Sequence, residues 1–211
     1  MPTSRSVRAW TIYAVVWGLM ALPLLFDLWR MSSMGPGHEA ANLDTGRWAW
    51  RFLLLSLAIR PAAQMLRLPM LLRYRRMVGL FGFAYAMIHS LDYVIYAQAW
   101  NIPFRVWVRR LYLWVGIAAT LALIPLAVTS FDGLRRGMGP VAWRWLHRSL
   151  YAVGLMVAVH ALWEDLTDYT QSIVCTALLM LLLVLRLPAG QQLILKLQGP
   201  RRAPAPAPVG G

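Results

Sequence analysis

The stretch Leu111-Tyr-Leu-Trp-Val-Gly-Ile-Ala-Ala-Thr-Leu-Ala-Leu-Ile-Pro-Leu-Ala-Val-Thr-Ser-Phe131 decides the fold, because no charged side chain interrupts it. About 20 apolar residues suffice for a helix to cross the hydrocarbon core of a bilayer, so this segment predicts a transmembrane helix over about 109–130. Reading outward on the same criterion gives further candidates at about 8–29, 47–66, 77–97, 146–164 and 169–187. The last is almost pure Leu, Met and Val after Gln171. The second is the weakest, since Arg60 and Pro61 interrupt it, although an arginine near a helix end can extend its head to the lipid headgroups. The expected architecture is therefore an all-α integral membrane protein, a bundle of about six transmembrane helices.

The composition agrees. With 59% hydrophobic residues and a mean hydropathy of +0.53 over 211 residues, the chain is too apolar for a soluble surface and too short for two ordinary domains. Residues 1–190 read as one transmembrane domain. Residues 191–211, ending in an Ala-Pro repeat, read as a disordered cytoplasmic tail. The formal charge of +13 does not indicate a nucleic-acid binder. Such a protein gathers its bases on a solvated face, whereas here they sit in short gaps between apolar runs. All the bases but Lys196 are arginine, which suits loops that meet lipid phosphates. Arg5 and Arg8 precede an uncharged run over 9–26 that has the look of a signal peptide, but no small-x-small cleavage site precedes Asp27. The run is read as a retained helix.

Orientation follows from the arginines. If six helices alternate, 14 bases fall on one side, among them Arg73, Arg75, Arg76, Arg135 and Arg148, against 6 on the other. The positive-inside rule then puts both termini in the cytoplasm. The acids Glu39, Asp44, Glu164, Asp165 and Asp168 all fall in the outer loops.

No Gly-rich nucleotide loop is present, and the single Cys175 permits no intramolecular disulfide or CxxC motif, so redox chemistry would have to come from a bound cofactor. The histidines are the chemical signal. His38 falls in an outer loop and is set aside, whereas His89, His147 and His160 lie inside expected spans, where an ionisable group is costly and has a partner. At ~1.5 Å per residue, His89 lies ~18 Å and His160 ~22 Å from the inner ends of their helices. Two neutral imidazoles from neighbouring helices at matched depth suit a bis-histidine b-type haem, which takes one nitrogen on each face. The plainer alternative is that each makes an interhelical hydrogen bond.

His147 lies about 20 Å nearer the cytoplasm than His160, and the third helix offers Arg75 and Arg76 at its level, not a histidine. It is open whether His147 ligates a second, inner haem, contacts a flavin or quinone, or caps the helix entrance. Arg73, Arg75 and Arg76 form a cluster suited to haem propionates, a flavin phosphate or a quinone headgroup, or simply make a positive-inside loop. Tyr85 and Tyr93 share the helix face of His89, where they either hydrogen-bond a cofactor or simply pack and anchor the helix.

The segments Thr45-Gly-Arg47, Pro69-Met-Leu-Leu-Arg-Tyr-Arg-Arg-Met-Val-Gly-Leu80 running on to Ile88-His89, Trp145-Leu-His147-Arg-Ser-Leu-Tyr151 and His160-Ala-Leu-Trp163 resemble the MsrQ family. These are haem-binding membrane subunits of the bacterial periplasmic methionine sulfoxide reductase system, within the wider ferric-reductase-like transmembrane group. The resemblance covers roughly residues 8–190. It implies that His89, His147 and His160 are the haem-associated, iron-ligating histidines and that FMN is also bound; Arg75 and Arg76 are expected among the cofactor-binding residues on their charge alone. It further implies a place in the bacterial inner membrane, electrons drawn from the quinone pool, and delivery to a separate periplasmic molybdenum-containing catalytic subunit that repairs oxidised proteins. The chain departs from the NADPH-oxidase pattern in having neither a second histidine on the third helix nor an attached flavin and nicotinamide domain. The alternative within the same group is a self-contained transmembrane ferric or quinone reductase.

Overall fold

The computed structural model describes residues 4–32, 36–99, 103–164 and 169–198, all as helices and short connections. In chain order the helices are α1 (Ser4–Met31), α2 (Pro36–Met65), α3 (Arg75–Ala99), α4 (Phe104–Arg109), α5 (Leu111–Val128), α6 (Asp132–Met138), α7 (Pro140–Arg148), α8 (Leu150–Glu164), α9 (Thr170–Val184) and α10 (Pro188–Gln198), with a 3₁₀ turn at Pro69–Tyr74 before α3. Prolines stand at the first position of α2, α7 and α10, where the missing N–H has no intrahelical partner to lose. Gly139, at φ +78°, separates α6 from α7.

α2 is the centre of the bundle. It packs along α3 in the most extensive helix contact, is flanked by α1 and α9, and meets a second tight pair formed by α5 and α8. Trp50, Phe52, Leu53, Leu54, Leu57 and Ile59 of α2 are buried, against Phe81, Tyr85, Leu123, Val153 and Leu179 from its neighbours. Polar contacts fix the pairs relative to one another. The Tyr85 hydroxyl donates to the Met20 carbonyl of α1 at 2.9 Å, and Ser90 of α3 shares a 2.9 Å hydrogen bond with Thr120 of α5. Outward-facing aliphatic side chains such as Leu121, Val128, Ile173, Val174 and Leu181 are exposed, as a lipid-facing surface requires.

The chain is thus all-helical, as expected, but its spans are less uniform than the sequence suggests. Among the described residues three segments, Trp10–Met31, Pro69–Ile95 and Leu111–Val128, are long and apolar enough to cross a membrane, and Thr170–Val184 with Pro188–Gln198, bent by 85°, makes a fourth if taken as one broken span. The expected spans at 47–66 and 146–164 do not qualify on length and apolarity, for different reasons. α2 carries Asp44, Arg47, Arg51 and Arg60, which a helix covered mostly by protein tolerates better than one facing lipid. The last expected turn before α8 instead belongs to α7, with the break at Ser149.

α10 runs to Gln198, beyond the boundary expected at residue 190, and is tied to α2 by hydrogen bonds from Gln198 Nε2 to the Gln64 carbonyl, at 2.5 Å, and from Arg67 to the Gln198 carbonyl. The remainder of the expected tail, with Arg201 and Arg202, lies outside the described residues, as do Asp165 and Asp168.

Candidate functional site

His89 comes from the carboxyl-terminal half of α3 and His160 from the last turns of α8, and the fold brings the two imidazoles together with ring centres 6.3 Å apart and planes at 72°. Both line a cavity of about 360 Å³ enclosed by α2, α3, α5 and α8. Each ring is held the same way. His89 Nδ1 donates to the main-chain carbonyl of Asn42 at 2.9 Å, and His160 Nδ1 donates to that of Tyr112 at 2.8 Å. A carbonyl can only accept, so the proton sits on Nδ1 and each Nε2 keeps its lone pair, the tautomer suited to a metal ligand.

The rings also rest on matching gaps. A methyl group at Gly46 would lie 2.9 Å from His89 Cε1, and one at Gly116 would lie 2.8 Å from His160 Cε1. Gly46 follows Asn42 by one helical turn and Gly116 follows Tyr112 by one turn, so the accepting carbonyl and the bare backbone stand side by side. The same cradle is thereby built twice, once between α2 and α3 and once between α5 and α8. A metal centre held by both rings would be bound through their Nε2 atoms, whose lone pairs the two Nδ1 bonds preserve.

Apolar side chains Leu53, Ala86, Leu113, Leu123 and Val157 line much of this cavity, joined by Arg47, Tyr93, Arg110 and Glu164. Arg110 donates to the Tyr112 hydroxyl at 3.4 Å. The Tyr112 phenol pushes the Arg110 pKa above its ordinary value, against a smaller opposing effect of burial.

A second cavity of about 250 Å³ lies on the other side of Leu53 and Leu123, which border both. It gathers Arg75, Arg76, Arg135, Trp143 and His147, so the structure does bring His147 together with the two arginines singled out in the sequence. His147 stacks on Trp143 with ring centres 4.1 Å apart and donates from Nδ1 to the Trp143 carbonyl at 3.1 Å, which again leaves Nε2 its lone pair. No second histidine lines this cavity. Arg76 also reaches Asp132 at 3.3 Å.

Other expectations are redistributed. Arg73 donates to the Met70 carbonyl and lies over Tyr74, and does not line the second cavity. Tyr93 lines the first cavity, but the Tyr85 hydroxyl is spent on α1. His38, set aside as a loop residue, is instead 4% exposed within α2, with Nε2 at 3.2 Å from Asp92 Oδ2. Gly46, Gly116 and Asn42 were not singled out in the sequence. Gly46 was within reach of it, since it falls inside the Thr45-Gly-Arg47 segment.

These features define a helical membrane protein with two neighbouring histidines in a cavity between its helix pairs, and the family of ferric-reductase-like transmembrane components matches the chain over residues 45–158. Three relatives narrow this further. The protein-methionine-sulfoxide reductase heme-binding subunit MsrQ of Caulobacter vibrioides is 35% identical over 190 residues, 86% of this chain and 89% of the relative. Those of Azospira oryzae, 37% identical over 77% of this chain and 71% of the relative, and of Rhodospirillum rubrum, 39% over 71% and 73%, are similar to it as well. The chain belongs to the MsrQ family.

Proposed function

We propose that this chain is a membrane electron-transfer subunit that holds a b-type haem between His89 and His160 and serves a periplasmic methionine sulfoxide reductase. The observation that carries the reading is the pair of imidazoles at 6.3 Å, each with Nδ1 committed to a carbonyl and each seated on a glycine. Among the described residues no group of three or more His, Cys, Asp or Glu side chains is placed to hold a bare metal ion. Two imidazoles therefore complete a metal site best when the cofactor brings its own equatorial ligands, as porphyrin does. Bound there, haem supplies a one-electron ferric/ferrous couple.

The chain's own residues do the rest. Asn42 and Tyr112 fix the tautomer of the two ligands through their carbonyls. The apolar walls exclude water, and Gly46 and Gly116 let the rings retreat far enough to admit the cofactor. In the second cavity Arg75, Arg76 and Arg135 present positive charge toward a propionate, a flavin phosphate such as that of FMN, or a quinone headgroup, with His147 as the residue nearest to ligand chemistry. The donor is the quinone pool on the inner side, and the acceptor is a separate molybdenum-containing catalytic subunit on the periplasmic side. Residues 1–190 form the haem domain in the inner membrane, with both termini in the cytoplasm.

Spectra of the protein purified in detergent test the assignment. His89→Ala and His160→Ala are each expected to abolish the reducible Soret and alpha bands of the shared centre, whereas His147→Ala leaves those bands in place. Wild-type spectra from both of the first two variants would rule the assignment out.

A further inference from the structure

We propose that Asn42 and Asp92 form a positioning clamp on the His89 imidazole, so that the two haem ligands are held with unequal rigidity; this rests on the haem reading above. Asn42 is 8% exposed and joins α2 to α3 from both its ends. Its main-chain carbonyl receives the His89 Nδ1 proton at 2.9 Å, while its side-chain Nδ2 donates to the His89 main-chain carbonyl at 3.0 Å and to Asp92 Oδ2 at 2.8 Å. Thr45 Oγ1 donates to the same Asn42 carbonyl at 2.6 Å.

The chain of contacts extends one step further. His38 Nε2 stands 3.2 Å from Asp92 Oδ2, and its Nδ1 donates to the Met31 carbonyl at 3.0 Å. Asp92 is thereby held between α3, on which it sits, and the amino-terminal part of α2. One buried amide thus sets the register of α2 against α3 at the residue whose carbonyl orients the iron ligand.

His160 has the same primary bond to the carbonyl of Tyr112, but there the second tie is a ring contact and not a buried amide donating across the helix pair. The Tyr112 ring stands 6.0 Å from that of His160, while its hydroxyl receives a hydrogen bond from Arg110. The geometry makes His89 the fixed ligand and His160 the adjustable one. Groups that orient a metal-bound histidine from behind are worth roughly 10- to 100-fold in metal affinity, because a ring free to rock spends part of its time with the lone pair off the metal axis.

The test uses full-length protein in detergent, loaded with haem. Two readouts are followed: the rate of haem transfer to excess apomyoglobin, and the low-spin EPR spectrum of the ferric form. Asn42→Leu and Asp92→Leu are expected to speed haem loss by about 10- to 100-fold and to broaden the low-spin signal. Asp92→Asn keeps an acceptor for Asn42 Nδ2 and stays near the wild-type rate. If Asn42→Leu does not fold, the contrast between Asp92→Leu and Asp92→Asn decides. Wild-type haem loss and an unchanged EPR spectrum in Asp92→Leu, with haem still removed by His89→Ala, would overturn the clamp and leave the haem site standing. A wild-type protein that takes up no haem would overturn both.

Discussion

Glycine in the middle of a helix ordinarily costs about 0.5–1 kcal/mol relative to alanine, so Gly46→Ala and Gly116→Ala should stabilise α2 and α5 in isolation. The imidazoles reverse that expectation for the assembled site. A Cβ at either position would sit inside 3.0 Å of a histidine ring, closer than carbon atoms approach one another, and the ring must swing away together with its Nε2. Each substitution is expected to lower haem content severalfold without lowering the thermal midpoint of the haem-free protein. A pyridine haemochrome assay read beside a melting curve checks this. A fall in the melting point with haem content intact would show that the glycines serve helix packing and not the ligand cradle. Only one of the two glycines stands in a recognisable sequence segment; nothing in the run around Gly116 distinguishes it from any small residue in an apolar helix.

At the scale of the element, α2 shows how a helix interrupted by proline survives at the centre of a membrane bundle. Pro61 has no N–H to give to the carbonyl of Leu57, one turn earlier, and its ring crowds that carbonyl. Arg186, at the end of α9, supplies the missing donor: Nη2 donates to the Leu57 carbonyl at 2.7 Å, and Nη1 to the Tyr151 hydroxyl at 2.6 Å. An arginine that reads in the sequence as one more positive-inside charge is therefore a tie between α2, α8 and α9. Removing a donor that leaves a buried acceptor unsatisfied costs about 1–3 kcal/mol, so Arg186→Leu should lower stability by that order. The loss should shrink in a Pro61→Ala background, where the main chain donates instead. Thermal melts over the four members of this double-mutant cycle check the coupling. Additive losses would mean that Arg186 acts only through its charge and its stacking on Tyr151.

For the whole molecule, two cavities meet at Leu53 and Leu123, and the proposed function as an electron-transfer subunit makes a prediction about them together. The expected behaviour is outward electron delivery without sulfoxide chemistry of its own, since Cys175 is buried and stands alone. In liposomes, reduced protein should be reoxidised slowly by methionine sulfoxide and rapidly once the periplasmic catalytic subunit is added, with the visible spectrum as the readout. Rapid reoxidation by the sulfoxide alone would favour a self-contained reductase. Reporter fusions at each terminus test the inward placement of both ends; a periplasmic carboxyl terminus would mean an odd number of crossings.

The sequence by itself determined that the chain is an all-helical membrane protein, and it singled out His89, His147 and His160 as the histidines inside apolar runs, because hydropathy over about 20 residues and the cost of an ionisable group in lipid are local properties. It also placed His147 at the level of Arg75 and Arg76, since helical rise converts residue number into depth. Only the tertiary structure decided that His89 and His160 face each other across 6.3 Å, that Gly46 and Gly116 make room for them, and that His38 belongs to a buried network and not to a loop. These depend on the rotation of each helix about its axis and on side chains dozens of residues apart, such as Asn42 and His89, which hydropathy does not record. The uneven spans have the same origin. A helix wrapped by other helices answers to its protein neighbours rather than to lipid, so α2 carries charges and a proline that a lipid-facing helix of the same length would exclude.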